Sequence, residues 1–366
     1  MTVHTEILLI AIAVSIACAI PGVFLVLRRM SMMADAITHT VFLGIVLAFF
    51  MTEDLNSPFL LVGATLVGVG TVWLTEMIHN TGLVNEDASI GIIFPLLFSV
   101  AIILVSLYSG NAHLDVDTAL LGEIAFAPFD RWIVNGTDLG PISLWISLGV
   151  ALINLILVML FYKELQLSTF DPLLAGLFGF MPVLIHYVLM TMVSLTVVAS
   201  FQAVGAILVI GLMIGPAVIA YLWTDSVKAM LTSSIIIGII CAVIGTEVAF
   251  TMDVSIAGSI ATTIGLALII AVIATPKTGY IATYRRQRHL RRHYRETMML
   301  CHIYTHMDTP IAHVENGIGT IHEHLNWRPD YTHQAASQLK KQGLLYVTNG
   351  HYVLTDKGIA QVKEII

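Results

Sequence analysis

Long runs without a charged side chain constrain this sequence more than any other feature. Residues 7–27, 57–75, 88–112, 139–162, 229–246 and 254–274 each contain no Asp, Glu, Lys or Arg, and residues 36–51 contain only one histidine. Residues 173–224 form a 52-residue run whose one histidine is His186. Crossing the hydrocarbon takes about 20 apolar residues, so the long run is too long for one helix and divides near Ser200. The count is eight or nine spans. Only 11% of residues are charged and the mean hydropathy is +0.88, against about 25% charged in soluble domains, which excludes a soluble globular protein. The first run is read as a span and not a cleaved leader, because no Lys or Arg precedes it.

The scarce charges divide the chain in two. Residues 1–276 hold 5 Lys/Arg against 17 Asp/Glu, whereas residues 277–366 hold 12 against 7, with 9 of the 14 histidines. The expected domains are a membrane body over 1–276, a basic juxtamembrane helix or linker over 277–295 near anionic lipid headgroups, and a polar domain over 296–366. Lys and Arg collect on the cytoplasmic side. Nine spans with an outer N-terminus put Arg28, Arg29, Lys163 and the arginines of 285–295 there. Residues 111–138, with Asp115, Asp117, Glu123, Asp130 and Asp138, then face outward, with Arg131 a mild exception. In the tail, helical periodicity over 296–306, 314–325 and 331–342 precedes alternation in 344–347 and 352–354 around Thr348, Asn349 and Gly350. The expected fold is an all-α polytopic membrane protein followed by a small α+β winged helix-turn-helix domain.

Ionisable residues at membrane depth are costly and therefore candidates for function. Asp35 and His39, four apart, share one helix face and offer a divalent cation a carboxylate oxygen and an imidazole nitrogen; the alternative is an N-cap Asp with a His bonded to a carbonyl. Glu247 and Asp253 lie at the end of the eighth span and in the turn after it, as cation-attracting acids at an outer mouth or as ordinary solvated acids. His186 reads as a packed core histidine, and Glu76, His79 and Glu86 as loop residues. In the segment 163–179, Ser168 or Thr169 and Asp171 can cap a short helix from Pro172, Gly176 and Gly179 permit close packing, and Phe170 suggests a docking surface. The three cysteines, Cys18, Cys241 and Cys301, form no C-x-x-C pair. There is no phosphate-binding Gly-x-x-x-x-Gly-Lys-Ser/Thr loop, no Gly-x-Ser-x-Gly elbow, and His322-Glu323-His324 does not complete His-Glu-x-x-His.

Several motifs in order carry a resemblance over residues 5–276. They are Gly22 through Arg28 and Arg29 into Asp35-Ala36-Ile37-Thr38-His39, Glu86-Asp87-Ala88-Ser89-Ile90-Gly91, Phe170-Asp171-Pro172 with Ala175 and Gly179, Gln202-Ala203-Val204-Gly205, and Pro216-Ala217. The chain resembles the permease subunits of bacterial ABC importers of manganese, zinc or iron. The resemblance implies a non-enzymatic homodimer in the plasma membrane, two cytoplasmic ATPase subunits and an extracellular metal-binding lipoprotein. It implies that Asp35 and His39 line the path, and that Phe170, Asp171, Pro172, Ala175 and Gly179 belong to a coupling helix seated on the ATPase. Thr38 stands where Ser is usual, and the stretch after Asp253 departs from a shorter Pro-containing one. No permanently bound cofactor is implied; the metal is cargo, with the thiolate-free ligand set favouring manganese.

The tail is similar to the winged-helix part of iron- or manganese-dependent repressors. Two readings stand for it. One is a regulatory domain that contacts the ATPase or senses metal through His302 and His306, four apart on a helix. The other makes the chain a membrane-tethered, metal-sensing DNA-binding regulator, for which the helix over 330–342 offers only Lys340 and Lys341 to phosphates.

Overall fold

The computed structural model describes residues 2–365 except 54–56, 109–123, 135–136 and 276–278. Asp115, Asp117 and Glu123 of the acidic segment lie outside the described residues. The chain separates into two compact units, Met1–Ile273 and Ala274–Ile366.

In the first unit, nine helices among the described residues are long and apolar enough to cross a membrane. They are α1 (Val3–Leu27), α2 (Ser31–Thr52), α3 (Pro58–His79), α4 (Glu86–Tyr108), α5 (Ile142–Leu160), α8 (Pro182–Val204), α9 (Ala206–Trp223), α10 (Val227–Met252) and α11 (Ile256–Ala274), with the short α6 (Tyr162–Phe170) and α7 (Pro172–Leu177) between α5 and α8. Lipid cannot hydrogen-bond an open backbone, so spanning segments close their hydrogen bonds internally as helices. The long run breaks at Gly205 and not near Ser200. Gly205 has φ +80, a left-handed conformation that glycine adopts without strain, and it separates α8 from α9. The first nine residues of that run are taken up by α7 and the turn after it. A two-stranded antiparallel hairpin, β1 (Arg131–Val134) with β2 (Thr137–Pro141), precedes α5.

α1 is the central helix, packing against α5, α8, α9 and α10, while α2 packs against α3, α4 and α8. Of the best 18-residue window, 78% is buried in α1 but only 17% in α4. Hydropathy does not distinguish them, since an apolar face suits lipid and protein alike. Small residues do, because they let backbones approach. A Cβ on Gly22 would overlap the Met213 carbonyl of α9, so the α1–α9 crossing has room only for hydrogen there. Buried polar groups tie other crossings: Asn154 of α5 donates to the Ala17 carbonyl of α1 (3.1 Å) and to Thr196 Oγ1 of α8 (2.7 Å), and Thr71 of α3 donates to Thr40 of α2 (2.8 Å).

The second unit opens with α12 (Tyr280–His306), so the expected juxtamembrane run and the first tail helix are one uninterrupted helix. The helix expected over 314–325 is instead two single turns, α13 (Ala312–Glu315) and α14 (Ile321–His324). They are split where Asn316 and Gly317 are buried and Asn316 turns inward: its Nδ2 donates to the Ile303 carbonyl (3.3 Å) and its carbonyl accepts from Tyr352 (2.9 Å). α15 (Pro329–Lys341) leads to β3 (Leu345–Thr348) and β4 (His351–Leu354), joined by Asn349 and Gly350, both at positive φ. That two-residue turn fits the right-handed twist of the strands. A final helix, α16 (Asp356–Ile365), closes a core of Met299, Leu300, Ile303, Ile321, Leu339, Leu345, Tyr352 and Val362.

Gly22→Val is expected to destabilise the membrane unit by about 1–3 kcal/mol through overpacking, read as a lower thermal midpoint in detergent. Gly91→Ala, where an added Cβ meets nothing within 4 Å, is expected to leave the midpoint unchanged.

Candidate metal centre and its supporting network

One α-helical turn brings residues i and i+4 together, and Asp35 and His39 meet in this way on α2. Asp35 Oδ1 lies 3.6 Å from His39 Nε2, with 41% and 29% of the two side chains exposed. The imidazole leans on Phe94 and Phe98 of α4, with ring centroids 5.0 and 6.0 Å away. Asp35 does not cap α2, whose N-cap is Met30. The pair offers one oxygen and one nitrogen at half-exposed positions. No cluster of three or more ligating side chains forms in this unit among the described residues. Two fixed ligands suit a cation that is held briefly and passed on, since resident metal sites use three or four protein ligands.

Glu247 and Asp253 do not join that pair. α10, which carries Glu247, packs chiefly on α1 and α9, whereas α2 packs chiefly on α3, α4 and α8. Glu247 Oε1 lies 3.3 Å from Nε2 of His4, whose ring sits 4.3 Å from Phe250. His4 went unread because nothing in sequence links residue 4 to residue 247. Asp253 is the C-cap of α10 in the left-handed region, φ +53, and no ion pair involves it among the described residues.

Arg131 has a structural reason for standing in an acidic loop. Its guanidinium forks onto Glu6 of α1 (Nη1 to Oε2 3.2 Å, Nη2 to Oε1 3.1 Å) while Nε donates to Asp138 Oδ2 (2.6 Å). Glu6 is only 3% exposed, and an ionised carboxylate at that depth requires such a partner. Hydrogen bonds to the two carboxylates hold Arg131 above its usual range. The Gly140 N–H, followed by Arg131, holds Asp138 below the usual carboxylate range.

In the segment 163–179, Asp171 Oδ1 accepts from the Leu174 N–H (2.9 Å) and caps α7. Ser168 and Thr169 do not cap it. Their hydroxyls accept from Arg28, at 2.9 Å from Nη2 and 3.1 Å from Nε. Within this chain a Cβ on Gly176 or Gly179 meets nothing within 4 Å, and Gly179 supplies a φ of +84 after α7. Ala175 faces inward and is fully buried, while Phe170, Leu173 and Leu177 are exposed.

Arg28 is the hub of a network that sequence reasoning missed. Its Nη1 lies 3.2 Å from His186 Nδ1, His186 Nε2 lies 2.7 Å from Glu76 Oε1, and Tyr187 donates to Glu76 Oε2 at 2.7 Å. Because Arg28 donates to Nδ1, the ring proton belongs on Nε2, facing Glu76, although the ring is turned off the ideal hydrogen-bond line. Glu76 sits in the last turn of α3 and not in a loop, and His186 stands between Arg28 and Glu76 as a polar bridge more than as a core histidine. The network joins the end of α1 to α6, α8 and α3 beside Pro172. In sequence Arg28 stands at a span end, Glu76 reads as a loop residue and His186 lies inside the long run, so nothing local links them.

Comparison with known proteins supplies what geometry alone does not. The sequence profile of the ABC 3 transport family matches residues 2–275. The chain is 41% identical over 356 residues to the "Zinc transport system membrane protein TroD" of Treponema pallidum (strain Nichols), covering 97% of this chain and 96% of that one. It is 42% identical over 281 residues to the "Manganese transport system membrane protein MntD" of Bacillus subtilis (strain 168), covering 77% and 95%. Among solved structures, "PsaBC from Streptococcus pneumoniae in complex with Fab" superimposes with a TM-score of 0.65 at 29% identity, covering 78% of this chain and 96% of that one. The TroD similarity runs well into the second unit, whereas the MntD match accounts for little more than the first.

Arg28→Lys keeps a charge but loses the fork that reaches three acceptors. We expect it to lower the thermal midpoint by an amount equivalent to about 1–3 kcal/mol, with Tyr187→Phe, which removes one hydrogen bond, having the smaller effect.

Proposed function

The chain belongs to the ABC 3 transport family, and on that premise we propose that it is the permease subunit of an ATP-driven importer of divalent transition-metal ions. Two copies form the translocation path in a bacterial plasma membrane. ATP is hydrolysed on separate cytoplasmic subunits, an extracellular metal-binding lipoprotein delivers the ion, and this chain is not itself an enzyme. The observation that carries the reading is the Asp35–His39 pair, a carboxylate and an imidazole 3.6 Å apart on a helix of the membrane unit. An ionisable pair at membrane depth costs stability, which makes it a candidate for the path. Glu247 with His4, and Asp253 beyond it, act at the outer mouth.

Manganese is the favoured ion, since a hard carboxylate with imidazole and no thiolate suits it. Zinc is the second reading, favoured by the naming of TroD as part of a zinc system. Both ions accept this ligand set, so the distinction rests on uptake in competition.

The drive from the ATPase enters through α7. Phe170, with Leu173 and Leu177, presents an exposed apolar surface, Asp171 and Pro172 set the start of the helix, Ala175 seats it, and Gly179 turns the chain away. The Arg28 network behind α7 gives that push a stiff connection to α1, α3 and α8. The second unit is a fused cytoplasmic regulatory domain of winged-helix type, for which α15, the β3–β4 hairpin and α16 are the support. A DNA-binding role is the alternative. The basic face of α12 favours it only weakly, because Arg292 is engaged with Glu296 (3.0 Å) and Arg295 with the Tyr331 ring (4.6 Å), and the remaining arginines suit anionic lipid equally.

Asp35→Ala and His39→Ala are each expected to abolish metal accumulation in cells while the permease still co-purifies with its ATPase; undiminished uptake in both removes the pair from the path. Truncation after residue 279, which spares every span, is expected to leave uptake active in a competition assay with manganese, zinc and iron. Lost target-gene control with unchanged uptake would favour the DNA-binding alternative.

A further inference from the structure

The second unit gathers three imidazoles around one carboxylate. His302 and His306 lie one turn apart on α12 with ring centroids 4.8 Å apart, and the His302 ring stacks at 6.2 Å on that of His324 from α14. Glu315, the last residue of α13, faces them: its Oε2 is 3.1 Å from His324 Nδ1 and 3.9 Å from His302 Nε2. One ligating atom from each of His302, His306 and Glu315 falls within 4.8 Å of the other two. Around an ion with bonds near 2.1 Å, tetrahedral neighbours stand about 3.4 Å apart, so a shift of about 1 Å in side-chain rotation closes the group. Burial holds His302 below the usual histidine range.

From this clustering we propose that the second unit carries its own divalent transition-metal site, with His302, His306 and Glu315 as ligands and His324 as the fourth, and that its occupancy regulates the transporter. A nitrogen-rich set with one carboxylate and no sulfur selects zinc, iron(II), cobalt or manganese over calcium and magnesium. The site collects ligands from α12 and the single turns α13 and α14, so a bound ion fastens α13 and α14 to α12. Asn316, next to Glu315, holds β4 through the Tyr352 N–H, and the ion's presence is thereby passed to the hairpin. The site stands without the transport reading; only its regulatory role rests on it.

The test uses the full-length chain in detergent with Asp35→Ala and His39→Ala removing the membrane pair. Zn2+ binding is measured by equilibrium dialysis and Co2+ by its visible ligand-field absorption. One ion per chain is expected. His306→Ala and the near-isosteric Glu315→Gln should each weaken binding at least tenfold and change the Co2+ spectrum, while His313→Ala, exposed on the same segment, changes neither. Equal binding in all variants, or none in the parent, overturns the site. Where His306→Ala alters the metal-free melting curve, Glu315→Gln decides. Uptake into cells preloaded with zinc or manganese then tests regulation: His306→Ala in an otherwise natural chain should escape inhibition, and identical inhibition overturns the regulatory role while leaving the site. Failure of all uptake in the natural chain counts against the permease reading alone.

Discussion

Inside hydrocarbon a helix gains little by exchanging lipid for another leucine, so the membrane unit depends on how closely its backbones approach. The crossing of α1 and α9 at Gly22 is the tightest expression of this constraint, and the ring of helices around α1 follows from it. Polar ties are few and placed at crossings: Asn154 joins three helices with two hydrogen bonds. Because the helices are apolar all round, the contacts that select neighbours are small residues and isolated hydroxyls or amides.

The same scarcity makes each ionisable side chain informative. Glu6 is buried with its charge balanced by Arg131, which anchors the hairpin before α5 to the start of α1. Glu76 and His186 meet beside Arg28, next to α7. Asp35 and His39 differ from both groups in being half-exposed, neighbours of each other, and unconnected to any guanidinium. Structural charges in this protein are bracketed by arginine, whereas the candidate path residues are left accessible.

Charge-free runs predicted eight or nine spans, against nine candidate spans among the described residues, because membrane thickness imposes a length that composition reveals. The hairpin in the second unit was legible from Asn349 and Gly350, and the pairing of Asp35 with His39 from their spacing, since both depend on residues close in sequence. What failed was non-local. His4 meets Glu247 and Arg28 meets His186 only after the helices pack. The break in the long run lay at Gly205, where a backbone conformation decided it and hydropathy was silent. The helix expected over 314–325 was lost to a buried Asn316 whose tertiary hydrogen bonds outweigh local periodicity. Ser168 and Thr169 read as caps because the local rule was the only one visible, yet a guanidinium from 140 residues away took both hydroxyls.

α12 runs unbroken for 27 residues, which at 1.5 Å per residue makes a rod about 40 Å long. Its first half carries the arginines and its last turns carry His302 and His306. A flexible linker between these would absorb any displacement as slack. A continuous helix acts as a lever arm, so the orientation of the arginine half is set by how the histidine end is seated in its own core.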